Sequence, residues 1–157
     1  MSMLRVGSDD HADAAGKHLG DATALIEVSR NDGAGYLSGY VVECALKSVV
    51  LHDGSFDSAA GVHDPTKLAD WHRKLRNKPY GHDLLKLAMS MVGPEGAKYL
   101  PDLPLSLPTR AAVFDWSETL RYAPLGTVTE DKARAYYEWA CLVYEHSIVA
   151  MRSDGVI

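Results

Sequence analysis

The stretch Tyr36-Leu37-Ser38-Gly39-Tyr40-Val41-Val42-Glu43-Cys44-Ala45-Leu46-Lys47-Ser48-Val49 decides the fold. Leu37, Tyr40, Val41, Cys44, Ala45, Ser48 and Val49 recur at steps of three and four, the spacing of one face of an α-helix. Glu43 and Lys47 stand four apart on its flank, a spacing worth about 0.2–0.5 kcal/mol on an exposed helix. Just upstream, Ala12, Ala15, Leu19, Ala22 and Ile26 make a second stripe of the same period. That helix is expected to end near Arg30, with Asn31-Asp32-Gly33 supplying the turn chemistry. So short a connection makes the two helices antiparallel neighbours. Gly33, Gly35 and Gly39 are expected to let them approach closely.

Downstream, Asp53 to Gly81 is broken by Gly54, Gly61, Pro65 and Pro79, with a short helix predicted over Pro65 to Arg76 because proline suits a first helical position. A further helix is predicted from His82 to Val92, with Leu84, Leu87, Ala88 and Met91 inward. Pro94, Pro101, Pro104 and Pro108 exclude one continuous helix after it. The next is predicted over Thr109 to Arg121, stopped at Ala123-Pro124. The last opens at Thr129, a good N-cap with Glu130 and Asp131 behind it. Its expected buried stripe is Ala133, Tyr137, Ala140, Cys141, Tyr144, Ile148 and Met151, fraying near Ser153. No alternating strand pattern or repeat is found. The expectation is an all-α, up-and-down bundle of four long helices plus short ones, forming a single domain over residues 1–157 with its core over about 11–150.

The chain has 157 residues, 46% of them hydrophobic, and a formal charge of −5. A chain of this length buries roughly 68–70% of its unfolded surface, enough for a core without staples. The net charge excludes a basic wrapper of nucleic acid. Charge is uneven, however. Lys67, Arg73, Lys74, Arg76, Lys78 and Lys86 against Asp70 and Asp83 give +4 between Pro65 and Lys86, leaving −9 elsewhere. Cys44 and Cys141 lie apart in helical patterns, as core thiols of a reducing compartment do. Met1 to Asp10 shows no leader pattern, and no apolar run suggests a membrane span, so a cytoplasmic location is expected.

Several motifs fail on spacing. Gly33-Ala34-Gly35 to Gly39 is one residue too long for a dinucleotide fingerprint, and Ser38 stands one place late for a nucleophile elbow. The histidines lack paired metal-ligand spacing, although His63, His72 and His82 with Asp64 could in principle converge. Neither metal nor cofactor is expected.

Three segments remain: the helix carrying Glu43 and Lys47, then Gly81-His82-Asp83-Leu84-Leu85-Lys86-Leu87, then Trp116 followed by Leu120-Arg121-Tyr122-Ala123-Pro124. In this order and spacing they resemble the HEPN family (higher-eukaryote and prokaryote nucleotide-binding domains), whose pattern is an E…K helix, an HxL helix start and an RY followed closely by proline. The resemblance spans about His11 to Ala150. It implies a helical bundle, frequent homodimers, binding of nucleotides or RNA, and for many members a nucleotidyltransferase-like protein partner in toxin–antitoxin or phage-defence systems. It points to Glu43, Lys47, Asn77, Asp83, Arg121 and Tyr122 as ligand-binding residues. The family's nuclease branch carries Arg, four to six residues, then His, often with a polar residue after the Arg. Arg76-Asn77-Lys78-Pro79-Tyr80-Gly81-His82 fits that expression, which would make Arg76 and His82 catalytic in a metal-independent endoribonuclease. Here the match falls in a linker interrupted by Pro79 and Gly81, whereas the family carries it in later helices. Two functions are therefore expected to compete: a binding module for nucleotide, RNA or a protein partner, and a ribonuclease. Tyr136, Tyr137, Trp139 and Tyr144 occupy more than one face of the last helix, which predicts a homodimer.

Overall fold

The computed structural model describes residues 3–77, 81–84, 87, 93–100 and 115–157. The chain is mostly helical. Helix α1 (His11–Glu27) and α2 (Asn31–Ser55) form an antiparallel hairpin, followed by the strands β1 (Phe56–Asp57) and β2 (Val62–His63), α3 (Pro65–Arg76) and a short α4 (Pro94–Ala97). A 3-10 turn (Glu118–Tyr122) precedes α5 (Glu130–Tyr144), which continues through a π-helical turn (Glu145–Val149) into α6 (Ala150–Ser153).

Helix α2 is the axis of the molecule. Seventeen of its 25 residues are buried, so it is covered all round rather than along one stripe. Helices α1, α3 and α5 pack against it. Its length and mean hydropathy of 1.2 are those of a span, but 83% of that apolar window is buried inside the protein. Small residues make this close packing feasible: Ala34, Gly35, Ser38, Gly39, Ala45 and Ser48 are all buried. Ser38, Ser48 and Ser55 each donate their hydroxyl to the carbonyl four residues back, which satisfies them without a partner helix.

The hairpin turn differs from expectation. Asn31, Asp32 and Gly33 do not end α1; they are the first turn of α2. The stop is Val28-Ser29, with Ser29 in the left-handed region (φ 56°) and Arg30 N–H bonded back to Leu25. Asp32 is thereby free to reach across and accept from the backbone N–H groups of Gly126 (2.6 Å) and Val128 (2.8 Å), fixing the loop before α5. Those two bonds hold its carboxyl below the usual range.

The glycines also serve other neighbours than expected. Gly33 faces Leu25 of α1, but Gly35 faces Val128 and Tyr136, and Gly39 lies flat against the indole of Trp116. Trp116 is buried, and its Nε1–H donates to the Tyr36 carbonyl. This contact explains a second correction. The helix expected over Thr109 to Arg121 is absent in its described part: residues 115–117 are irregular, and Ser117 caps a separate 3-10 turn. Burying Trp116 against α2, with Asp115 bonded to Tyr136 and Lys132, outweighs local helix propensity. Residues 109–114, together with Pro101, Pro104 and Pro108, lie outside the described residues.

On α5 the buried stripe is Ala133, Tyr136, Trp139, Ala140 and Val143, continued by Ile148 in the π-helical turn and Met151 in α6. Tyr137, Cys141 and Tyr144, expected inside, are half-buried at the seam with α1, where Tyr137 meets Thr23 and Tyr144 meets Gly16. The helix is wedged between α1 and α2, so aromatics on two faces are used within one chain. The β-hairpin was not anticipated. It pairs Phe56 with His63 and Asp57 with Val62, and Asp57 accepts from Ala59 and Ala60 at its tip. Helix α3 starts and stops where predicted, capped by Asp64 with Pro65 behind it. Of the helix expected from His82 to Val92, Leu84 and Leu87 are buried, while Ala88 and Met91 lie outside the described residues.

A Cβ at position 39 would overlap the Trp116 ring. Gly39→Ala gains about 1 kcal/mol of helix propensity but forces the indole out. The net expectation is a loss of about 3 kcal/mol in urea unfolding, largely relieved when Trp116→Leu is added.

Candidate functional site

Tyr36, Tyr40, Glu43 and Lys47 follow one another along a single face of α2 at helical spacing. Glu43 and Lys47 are buried, with 3% and 7% exposure. Glu43 Oε1 accepts from Lys47 Nζ at 2.7 Å and Oε2 lies 2.8 Å from His82 Nδ1. The carboxylate thus joins the ammonium on one side and an imidazole whose side chain is 43% exposed on the other. A buried carboxylate with both oxygens answered fixes the tautomer and orientation of His82, leaving Nε2 on the far side of the ring.

One turn before Glu43, Tyr40 collects the rest of the cluster. Its ring stands edge-on to His82 (5.9 Å between centroids), Trp116 (5.1 Å) and Tyr36 (5.1 Å), and tilted against His18 (5.6 Å). Arg121 Nη2 donates to its hydroxyl at 2.9 Å. The Arg121 guanidinium also sits 5.7 Å from the Tyr36 ring and 5.6 Å from the Tyr122 ring. Tyr122 is 81% exposed. Burial, helped by the Tyr36 hydroxyl and opposed by Arg121, pushes the Tyr40 phenol up to about 12. The Tyr40 hydroxyl raises Arg121 above its ordinary value.

Of the residues singled out from sequence, His82 and Arg121 therefore touch Tyr40, with Glu43 and Lys47 joined to it through His82 and Tyr122 through Arg121. Arg76, Asn77 and Asp83 are placed elsewhere or differently. Arg76 is exposed and ion-paired with Asp9 of the N-terminal segment. Asn77 donates to the Arg73 carbonyl at the end of α3, and both line a hollow of about 350 Å³ with Val6, Ala69, His72 and Arg73. The exposed Asp83 begins the turn that holds Leu87, whose N–H donates to its carbonyl. Arg76 and His82 thus have separate partners. The basic stretch is also largely occupied: Arg73 pairs with Asp70, and Lys74 lies over the Trp71 ring. Lys78 and Lys86 lie outside the described residues.

His63, His72 and His82 do not converge. His63 bonds Ser55 and faces His52; His72 bonds the Leu4 carbonyl and stacks on His11; His82 belongs to Glu43. Among the described residues no three potential ligands group around one point. Burial, then the nearby Lys47 and His72, pushes His11 down to about 4. Burial likewise raises the Cys44 thiol to about 12, so it is a packing group.

Tyr36, Tyr40 and His18 were missed in the sequence. By spacing Tyr40 falls in the apolar stripe, where an aromatic at helical spacing normally belongs. The available signal was the i, i+4 succession Tyr36, Tyr40 leading into Glu43 and Lys47.

Glu43→Ala leaves the Lys47 ammonium buried without its partner and should cost about 3–5 kcal/mol in urea unfolding. Glu43→Leu combined with Lys47→Met removes both charges and should recover most of that loss. A single variant as stable as wild type would show the pair to be solvated. Comparison with models of protein families, with curated proteins and with solved structures gave no match, so function rests on this geometry.

Proposed function

We propose that the chain binds a nucleotide or a short single-stranded RNA segment at the Tyr40 cluster, as a HEPN-like helical module. The carrying observation is Arg121, an exposed guanidinium set between the rings of Tyr36 and Tyr122. Among the described residues it meets no carboxylate, whereas Arg73, Arg76, Arg134, Arg152, Lys98 and Lys132 each have one. An unneutralised cation beside the exposed Tyr122 ring and the half-buried Tyr36 ring suits a phosphate and its base together. The gathering of the E…K helix, His82 and Arg121-Tyr122 in one place supports the family resemblance, because nothing in their sequence separation requires it. A role in a toxin–antitoxin or phage-defence pair, with a nucleotidyltransferase-like partner or a second copy of the chain, is part of the same proposal.

The binding test is fluorescence anisotropy with a labelled single-stranded RNA. Arg121→Ala and Tyr122→Ala should each weaken binding about tenfold, the cost of one phosphate contact or one stacked base. Melting temperatures should not change, since both side chains are exposed. The slope of log affinity against log salt should be shallow, because few cations reach the ligand. Equal affinity in all three proteins would remove the assignment.

A second reading, RNA cleavage, is favoured by the Glu43–His82 bond, which is how an acid–base imidazole is oriented. It is disfavoured by Arg76, which the sequence pairs with His82 and the fold pairs with Asp9. The expectation is that purified protein binds RNA without cutting it. EDTA-resistant cleavage that vanishes in His82→Ala and survives in Arg76→Ala would make the chain a ribonuclease with a different cation.

A further inference from the structure

The geometry points to Tyr40 as a direct phosphate ligand: its hydroxyl hydrogen and the uncommitted N–H groups of Arg121 form a two-donor cradle for one phosphate group. This rests on the nucleotide reading above and names the atoms that would recognise its anionic part.

The inference follows from counting hydrogens. A phenol has one O–H to give and two lone pairs to receive. Tyr40 receives from Arg121 Nη2 at 2.9 Å, while the Tyr36 hydroxyl lies 3.4 Å away, too far to commit either phenolic hydrogen firmly. With Arg121 donating to the oxygen, the Tyr40 hydrogen is left without a close acceptor. Among the described residues no acceptor lies nearer to it than the Tyr36 oxygen. The ring cannot swing to find one, because His18, Tyr36, His82 and Trp116 hold it on all sides. The phenol, pushed up to about 12, keeps that hydrogen at neutral pH.

Arg121 is in the same position. Arg121 spends part of its five N–H groups on the Tyr40 and Tyr122 hydroxyls, and among the described residues no carboxylate neutralises it. A cationic fork and a neutral O–H sharing one edge match an oxygen-rich anion, since each phosphate oxygen accepts strongly from such donors. The flanking Tyr36 and Tyr122 rings favour a phosphate that carries a base. A bare hydroxyl donor would bind a simple alcohol or carbonyl equally well; the adjoining guanidinium makes the preference anionic.

The test must separate contact by Tyr40 from mere positioning of Arg121. Wild type, Tyr40→Phe, Arg121→Gln and the double variant are titrated with the labelled RNA and, by NMR, with inorganic phosphate. Tyr40→Phe keeps the ring and its packing, so melting should be unchanged. The expected result is a roughly tenfold loss in Tyr40→Phe, with a further loss of similar order when it is added to Arg121→Gln. Binding of the uncharged nucleoside should not move. If Tyr40→Phe costs nothing in the Arg121→Gln background, Tyr40 only positions the guanidinium and the cradle is overturned. If RNA binds equally to wild type and Tyr40→Phe, the cradle fails while the nucleotide reading stands. If inorganic phosphate shifts the Arg121 and Tyr40 resonances but RNA does not bind, the cradle stands and the nucleotide reading fails. Binding of neither ligand overturns both.

Discussion

A carboxylate buried in the middle of a long helix must have both oxygens answered, and the Glu43 carboxylate is the constraint on which this molecule turns. Lys47, one turn on, answers the first oxygen from within the same helix. The second oxygen needs a group from outside it, and His82 supplies that group from 39 positions further along the chain. The segment that brings His82 must therefore cross α2 at this level. Isolated ions at such depth cost several kcal/mol each, so their pairing is part of the folded state rather than an ornament on it.

The rest of α2 is arranged to allow this. Its small residues bring neighbours close enough to exclude water, and Gly39 admits an entire indole. Trp116, once docked there, places the following Arg121-Tyr122 turn over Tyr36 and Tyr40. One buried tryptophan thus positions an exposed arginine five residues away. Asp32 performs the matching task at the other side of that segment, clamping Gly126 and Val128 before α5 begins. The loop bearing Arg121 and Tyr122 is consequently tied down on both flanks while its side chains face solvent.

Helix ends were legible where local chemistry marks them: Pro65 places the start of α3, whose cap Asp64 the structure adds, and Thr129 marks the start of α5. What escaped were features set by partners far along the chain. The turn between α1 and α2 depends on Ser29 taking a left-handed conformation, which is uncommon for a residue other than glycine. The 3-10 turn around Arg121 exists because Trp116 is drawn to Gly39. The face of α5 was misjudged by one residue because two helices, not one, receive it. Of the candidate site, the sequence singles out Glu43, Lys47, His82, Arg121 and Tyr122 as an ordered set, but not Tyr40, which links them in the structure. Tyr40 has the same periodicity as a core residue, and only the hydrogen bonds to its oxygen distinguish it.

The contrast between Arg76 and Arg121 shows why local charge counts mislead. Arg76 belongs to the most basic stretch of the chain, where phosphate affinity would be sought first. Its guanidinium, like that of Arg73, is committed to a neighbouring carboxylate. Arg121 lies in an acidic part of the sequence, with Glu118 three residues before it. Its partners are phenols, which hold the guanidinium in place without cancelling its charge. Exposed charges more than about 10 Å apart are largely screened at ordinary ionic strength, so the net charge of −5 does not decide binding at one guanidinium. What decides it is whether the side chains within hydrogen-bond reach are neutral donors and π faces or competing anions. By that measure, the anion site we propose belongs beside Tyr40 rather than along α3.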